Sequence, residues 1–344
     1  MLTPSELEDD ILLPQGCNLR TVSFTAGLKE HVMESTLIDK PILVTGIIRS
    51  GTTWVGKVLC HAAGTIYLHE PTNPASPWNA AIRTPIQHFY LHDDFGGVYQ
   101  KLFAQLLSLE PRVQGKWLID HDKWLADYIQ RRRASQGRND LRGVIKDPTA
   151  IFSAPWMVRN LNVAPIVVLR HPLAIVKSLL RLGWADQFNP MFITKQPLLM
   201  ADIYANISEQ DRQLLLPKWQ AYGPLDRALR WVRIMYLSLA HFKQEYPQWD
   251  YVCYEKLTQN SVAGFLSIAT RHNLALDEAA LARAFDSKGN NFDQSAAHQT
   301  VLSPQVSELS RLFEDDHFSA EWPQLYEQWF SDIALVFADN CEWA

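Results

Sequence analysis

Cysteine is scarce in this sequence, and the few that occur form no motif. Cys17, Cys60, Cys253 and Cys341 stand far apart, which excludes a C-x-x-C pair or a zinc-finger spacing, and they read as reduced thiols of a cytosolic protein. A basic excess is lacking too. Lys and Arg number 32 against 37 Asp and Glu, a formal charge of −5, which argues against a general nucleic-acid binder but leaves room for one local anion pocket. No apolar run approaches the roughly 18 residues of a membrane span. The opening MLTPSELEDD carries neither a basic nor an apolar stretch, so no signal peptide is expected, and the expectation is a cytoplasmic protein with no membrane span. Internal repeats and low-complexity tracts are absent as well.

What is present is a chain of 344 residues, 47% apolar and 20% charged, ordinary for a globular protein that buries a full core. Two segments share one design. Pro41-Ile-Leu-Val-Thr45 is a short apolar run with β-branched residues, followed by Gly46-Ile-Ile-Arg-Ser-Gly-Thr-Thr53 and then by apolar residues at helical spacing from Trp54. Ala164-Pro-Ile-Val-Val-Leu169 leads in the same way through Arg170-His171-Pro172 into Leu173–Leu180, with the proline at a first helical turn, where its missing N–H is harmless. Each reads as a strand buried on both faces that runs straight into a helix. The pair predicts an α/β fold with a central, mostly parallel sheet flanked by helices in three layers, plus helical insertions. Gly143-Val-Ile145 before Lys146-Asp147-Pro148, and Tyr251-Val-Cys-Tyr254 before Glu255-Lys-Leu257, are further strand candidates. Residues 196–245 and about 321–338 read as helical, and 71–135 and 183–225 as insertions.

A helix N-terminus offers unpaired N–H groups and a partial positive charge, and glycines let the backbone approach an anion closely. Gly46-x-x-x-x-Gly51-Thr52-Thr53 has that form. The nucleotide-triphosphatase loop needs G-x-x-x-x-G-K-[ST], and Thr52 stands where its lysine belongs. The cradle therefore suits a phosphate-bearing ligand that is not a triphosphate.

Here the chain resembles a known family. Arg49-Ser50-Gly51-Thr52-Thr53-Trp54 after a buried strand is similar to the 5′-phosphosulfate loop of sulfotransferases that use 3′-phosphoadenosine 5′-phosphosulfate (PAPS). The family's second signature is an Arg closing a later strand, a Pro two residues on and a Ser eight residues after the Arg; Arg170, Pro172 and Ser178 match it. The resemblance implies a P-loop-like fold over a single domain, 1–344. It covers a recognisable core from about 41 to 290, with a cover segment at 1–40 and a helical segment at 291–344. It further implies that Arg170 and Ser178 hold the cofactor's 3′-phosphate, that Trp54 stacks on adenine, and that Tyr254, in a Y-E-x-L element, lies near it. Ser287-Lys288-Gly289 resembles a remnant of the family's late basic loop, without the G-D-W that follows it there. Arg49 stands where the cytosolic branch has Lys, as in branches acting on carbohydrates, protein tyrosines and bacterial metabolites. It offers a planar fork in place of a point charge.

The activity implied is transfer of a sulfuryl group from PAPS to a hydroxyl or amine of a carbohydrate, lipid or small natural product. The product would be adenosine 3′,5′-bisphosphate, and no metal is required. Positioning and electrostatics do most of such work. The cytosolic branch's catalytic His is missing, since the comparable place reads Lys146-Asp147-Pro148. Branches acting on sugars and protein tyrosines take their base from a Glu shortly after the loop helix, which points to Glu70, with His69 as the second candidate and Lys146 as a positioning cation. On a strand, only one of two neighbours faces the cofactor, and Glu70 is preferred. Plainer readings stand beside these: a salt-bridge partner for Glu70, a satisfied structural histidine for His69, an ion pair with Asp147 or a neighbour for Lys146, and core packing for Trp54 and Tyr254. Arg131-Arg132-Arg133, with Arg138 and Arg142, reads as a solvated loop or helix end. Two other functions stay open: a Mg²⁺-ATP phosphotransferase on the same cradle, and a non-catalytic protein that binds the bisphosphate.

Overall fold

Five short strands organise the chain. The structure is a computed structural model, and it describes residues 40–76, 78–107, 141–185, 190–215, 218–286 and 321–343. All of them belong to one unit, Leu37–Ala344. The cover segment expected before Lys40 and the basic run 131–138 lie outside the described residues.

Strand β1 (Ile42–Gly46) enters helix α1 (Thr52–Leu59), and β2 (Thr65–His69) follows. After β3 (Arg142–Lys146) come α2 (Ala154–Leu161), β4 (Ala164–Leu169) and α3 (Pro172–Arg181). The 22-residue helix α4 (Pro224–Glu245) leads to β5 (Asp250–Cys253), which passes directly into α5 (Tyr254–Gln259) and α6 (Ser261–Arg271). The strand order is β2-β3-β1-β4-β5, and every pairing is parallel.

The apolar runs become strands because both of their faces are covered. Side chains alternate across a strand. Leu43, Ile145, Val167 and Leu169 face a layer that includes Leu173 and Val176 of α3 and Trp231, Met235 and Leu239 of α4. Ile42, Val44, Val144, Ile166 and Val168 face the opposite layer, with Trp54, Val55 and Val58 of α1 and Phe265 and Ile268 of α6. The expected three-layer α/β class is therefore the observed one. Short helices, the longest Pro197–Asp202, fill much of 190–221. Among the described residues no helix is long and apolar enough to cross a membrane. Cys60, Cys253 and Cys341 are buried and unbridged.

The topology decides where a site can form. From β1 the chain moves to β2 on one side of the sheet, and from β4 it moves to β5 on the other. The crevice between the carboxyl ends of adjacent β1 and β4 is the switch point of the sheet, the place where ligands of such folds bind.

Candidate functional site

The sheet brings its five carboxyl ends to one edge, and each end delivers a residue singled out in the sequence. The loop Ile47–Gly51 follows β1, Glu70 follows β2, Lys146 closes β3, Arg170 follows β4 and Tyr254 follows β5. Two helix N-termini open on the same edge. Neither α1 nor α3 has an acidic residue in its first turn or a side-chain cap, so their first N–H groups and positive dipole ends are left for another partner.

The loop is built by unusual backbone. Gly51 has φ 102 and Arg49 φ 75; the second is a left-handed conformation that costs a residue with a Cβ about 1–2 kcal/mol. A Cβ on Gly51 would lie 2.4 Å and 2.6 Å from two Tyr254 ring carbons, so glycine is what lets the loop rest on that ring. The turn is closed by the Ser50 N–H donating to the Ile47 carbonyl at 2.9 Å.

The two motifs meet in space. Arg49 Nε donates to Ser178 Oγ at 3.0 Å across 129 residues of chain, and Arg170 donates to the Arg49 carbonyl at 2.8 Å. The Arg170 guanidinium lies 4.8 Å over the Tyr254 ring and that of Arg49 5.5 Å from the Trp184 ring. Burial, then the charges of Arg170 and Arg181, lower the pKa of Arg49, which stays charged nonetheless. Among the described residues none of these three arginines has a carboxylate partner. Ser50 Oγ and Arg170 Nε are buried without any partner there. Arg49 and Arg170 thus meet at one crevice with two orphaned polar atoms, and the charge of exposed Arg181 on α3 reaches Arg49. Arg181, three residues beyond Ser178 on α3, escaped the sequence reading, although helical spacing puts it near that face.

Trp54 is buried edge-on against Tyr254 and Phe265, at 5.5 Å and 4.9 Å between centroids. Ser287, Lys288 and Gly289 lie outside the described residues. Arg142 belongs to no solvated loop: it begins β3, half-buried, and its guanidinium donates to the Lys40 and His272 carbonyls.

The second cluster is Glu70 with Lys146. Lys146 forms an ion pair with Glu70, not with Asp147. Asn73 donates to the other carboxylate oxygen at 2.6 Å. β2 ends at His69, and Glu70 has φ 49, so the strict alternation expected of neighbours on a strand does not apply. Glu70 turns to Lys146, while His69 Nδ1 meets the Tyr67 hydroxyl at 3.3 Å. Burial works to raise the Glu70 carboxyl, but Lys146, His69 and the bond from Asn73 outweigh it and hold the pKa at about 2. Behind the pair, fully buried Asp147 accepts from Thr72 N–H and hydroxyl at 2.7 and 2.8 Å and from Thr149 N–H and hydroxyl at 3.0 and 2.7 Å. Burial, then the Glu70 charge, pushes Asp147 up to about 6 against the pull of these donors. Asp147, Thr72, Thr149 and Asn73 were missed as a group, because their contacts join segments about 75 residues apart. Among the described residues no group of three His, Cys, Asp or Glu side chains gathers as metal ligands.

Fold and site together define a doubly wound α/β protein with an arginine-lined crevice at its switch point. No protein-family model matches the chain, and no curated protein is significantly similar to it. Among solved structures it is similar to a sulfotransferase, STF9 from Mycobacterium avium, with 11% identity and a TM-score of 0.37 over 86% of this chain and 77% of that one.

Proposed function

We propose that the chain is a PAPS-dependent sulfotransferase acting on a hydroxyl or amine of a carbohydrate, lipid or small natural product. The observation that carries the reading is the meeting of the two motifs: Ser178 and Arg170 are each bonded to Arg49 at the switch point, with no carboxylate partner for the arginines among the described residues.

The residues present fit an adenosine bisphosphate bearing a sulfate. The orphaned Ser50 Oγ and Arg170 Nε supply donors, and the N–H groups of Thr52 and Thr53 open α1 without a cap. Gly51 keeps the loop free of side-chain bulk. On this reading Arg49 and the loop hold the 5′ end, while Arg170 and Ser178 hold the 3′-phosphate. Tyr254 and Trp54 border the base. PAPS supplies the sulfuryl group, and the protein positions the acceptor and removes its proton. Glu70 is the base, and a carboxyl held at about 2 by Lys146 is a weak one. Lys146 must therefore turn from Glu70 toward the transferring group or the acceptor before Glu70 takes the proton. His69 is the alternative base.

The test is thermal unfolding of the purified chain with adenosine 3′,5′-bisphosphate, with ATP plus Mg²⁺ and adenosine 5′-monophosphate as controls. A ligand that binds only the native state stabilises it by about 2.7 kcal/mol at a hundredfold over its dissociation constant. The expected result is stronger stabilisation by the bisphosphate than by the monophosphate, with the difference lost in Arg170→Ala. Stabilisation by ATP and Mg²⁺ alone would replace this reading with a phosphotransferase. Bisphosphate binding without sulfuryl transfer to any acceptor class, and unchanged by Glu70→Gln, would leave a non-catalytic binder.

A further inference from the structure

Arg170 lies at a turn whose backbone is anchored from an unexpected direction. The peptide joining Arg170 to His171 has two polar atoms, and a side chain holds each. The Tyr236 hydroxyl of α4 donates to the Arg170 carbonyl. The His171 N–H donates to Glu255 Oε1 at 2.9 Å. With both ends held, the plane of this peptide is set, and with it the direction in which the Arg170 side chain leaves the strand.

Both anchors touch one further residue, Trp343. Its indole N–H donates to Glu255 Oε2 at 3.1 Å. Its ring stands edge-on to Tyr236 at 6.0 Å and to His171 at 6.1 Å, the edge-to-face geometry that aromatic pairs prefer. Trp343 and Glu255 are both buried at 8% exposure, so water does not readily replace either bond. Asn340 fastens the segment to β5, its side-chain amide donating to the Tyr251 carbonyl at 3.0 Å.

We infer that Trp343 is a positioning residue for Arg170, acting through Glu255 and Tyr236 to aim the guanidinium into the switch-point crevice. This rests on the reading that Arg170 meets the 3′-phosphate. The carboxylate of Glu255 accepts three bonds, from the His171 N–H, the Trp343 indole and, at 3.4 Å, the Cys253 thiol. Removing the indole N–H leaves one oxygen of a buried carboxylate with only the weak thiol donor. The carboxylate then re-aims, and the His171 N–H loses its partner. The peptide joining Arg170 to His171 is thereafter held only at the Arg170 carbonyl. The loss falls first on the 3′-phosphate, because the 5′ end keeps the uncapped N–H groups of α1 and the Arg49–Ser178 bond.

The experiment titrates adenosine 3′,5′-bisphosphate and, separately, adenosine 5′-monophosphate into the full chain by calorimetry. Wild type, Trp343→Phe and Glu255→Gln are compared, with the Tm of each recorded. Trp343→Phe keeps an aromatic ring and removes the donor. Glu255→Gln leaves every ring in place and carries the test if Trp343→Phe does not fold. The expected result is a bisphosphate affinity about tenfold weaker in both variants, the scale of one charge-assisted bond, with monophosphate affinity unchanged within about twofold. A variant that folds and keeps the wild-type preference, or that weakens both ligands in parallel, overturns the positioning role and leaves the reading of the crevice standing. A wild type with no preference for the bisphosphate overturns that reading, and the role of Trp343 with it.

Discussion

Replacing Lys146 by methionine tests whether the Glu70–Lys146 pair is a working electrostatic unit or a surface contact. The side chains are 16% and 4% exposed, so solvent screens the pair little. A carboxyl brought from 4.5 to about 2 prefers its ionised form by about 3 kcal/mol, at 1.36 kcal/mol per pKa unit. Breaking a buried pair by removing one partner costs about 3–5 kcal/mol. Lys146→Met is therefore expected to lose about 3 kcal/mol at pH 7, measured by urea unfolding. Its pH dependence carries the sharper sign. In wild type the folded pKa of Glu70 lies below its unfolded value, so this contribution is complete above about pH 4.5 and is lost as pH falls toward 2. Without Lys146, burial dominates and the folded pKa lies above the unfolded one, so the contribution of Glu70 falls as pH rises above about 4.5. Asp147 is raised first by burial, which both proteins share, and only second by the Glu70 charge, so its own titration largely cancels in their difference. The difference in stability between wild type and Lys146→Met should thus widen from pH 4 to pH 7. A constant difference, or a loss under 1 kcal/mol at pH 7, would refute the electrostatic account.

Gly51→Ala forces a left-handed φ of 102 on a residue with a Cβ and drives that Cβ into the Tyr254 ring. A loss of about 2–4 kcal/mol is expected by urea unfolding, together with weakened binding of the bisphosphate. His88 is fully buried among Phe152, Phe192 and Trp231, with neither ring nitrogen partnered among the described residues. Burial lowers its pKa to about 3, against the opposing Glu70 charge. Its contribution to stability is complete above about pH 6.5 and is lost as pH falls toward 3. His88→Leu should therefore hold its Tm better than wild type between pH 6.5 and 4, and equal slopes over that range would count against a buried neutral histidine.

The parts of the fold that were legible are those in which local pattern and tertiary demand coincide. β4 falls where its run of apolar, β-branched residues ends at Arg170, because a strand covered on both faces needs an uninterrupted apolar stretch. β2, Thr65–His69, was never singled out as a strand of the sheet, although it lies fully in register with β3. Its five residues have no helix immediately behind them to mark the unit. The conformations of Arg49 and Glu70 were invisible, since neither residue type signals a left-handed backbone.

The residue types by themselves determined a parallel α/β sheet and a glycine-bearing loop without the triphosphatase lysine. They also determined a second strand–helix junction carrying Arg170 and Ser178. These are consequences of local chemistry: apolar runs need burial, and helix starts need caps or anions. Only the tertiary structure decided which charges share a space. Lys146 pairs with Glu70 and not with its neighbour Asp147 because β2 and β3 lie side by side and Thr72 and Thr149 claim Asp147. Arg49 reaches Ser178 because β1 and β4 are adjacent although 129 residues separate the two side chains. Trp343 reaches Glu255 across 88 residues because Asn340 fastens the C-terminal segment to β5 and both side chains are buried there. Pairings at that range are set by strand order and burial, which no local pattern encodes.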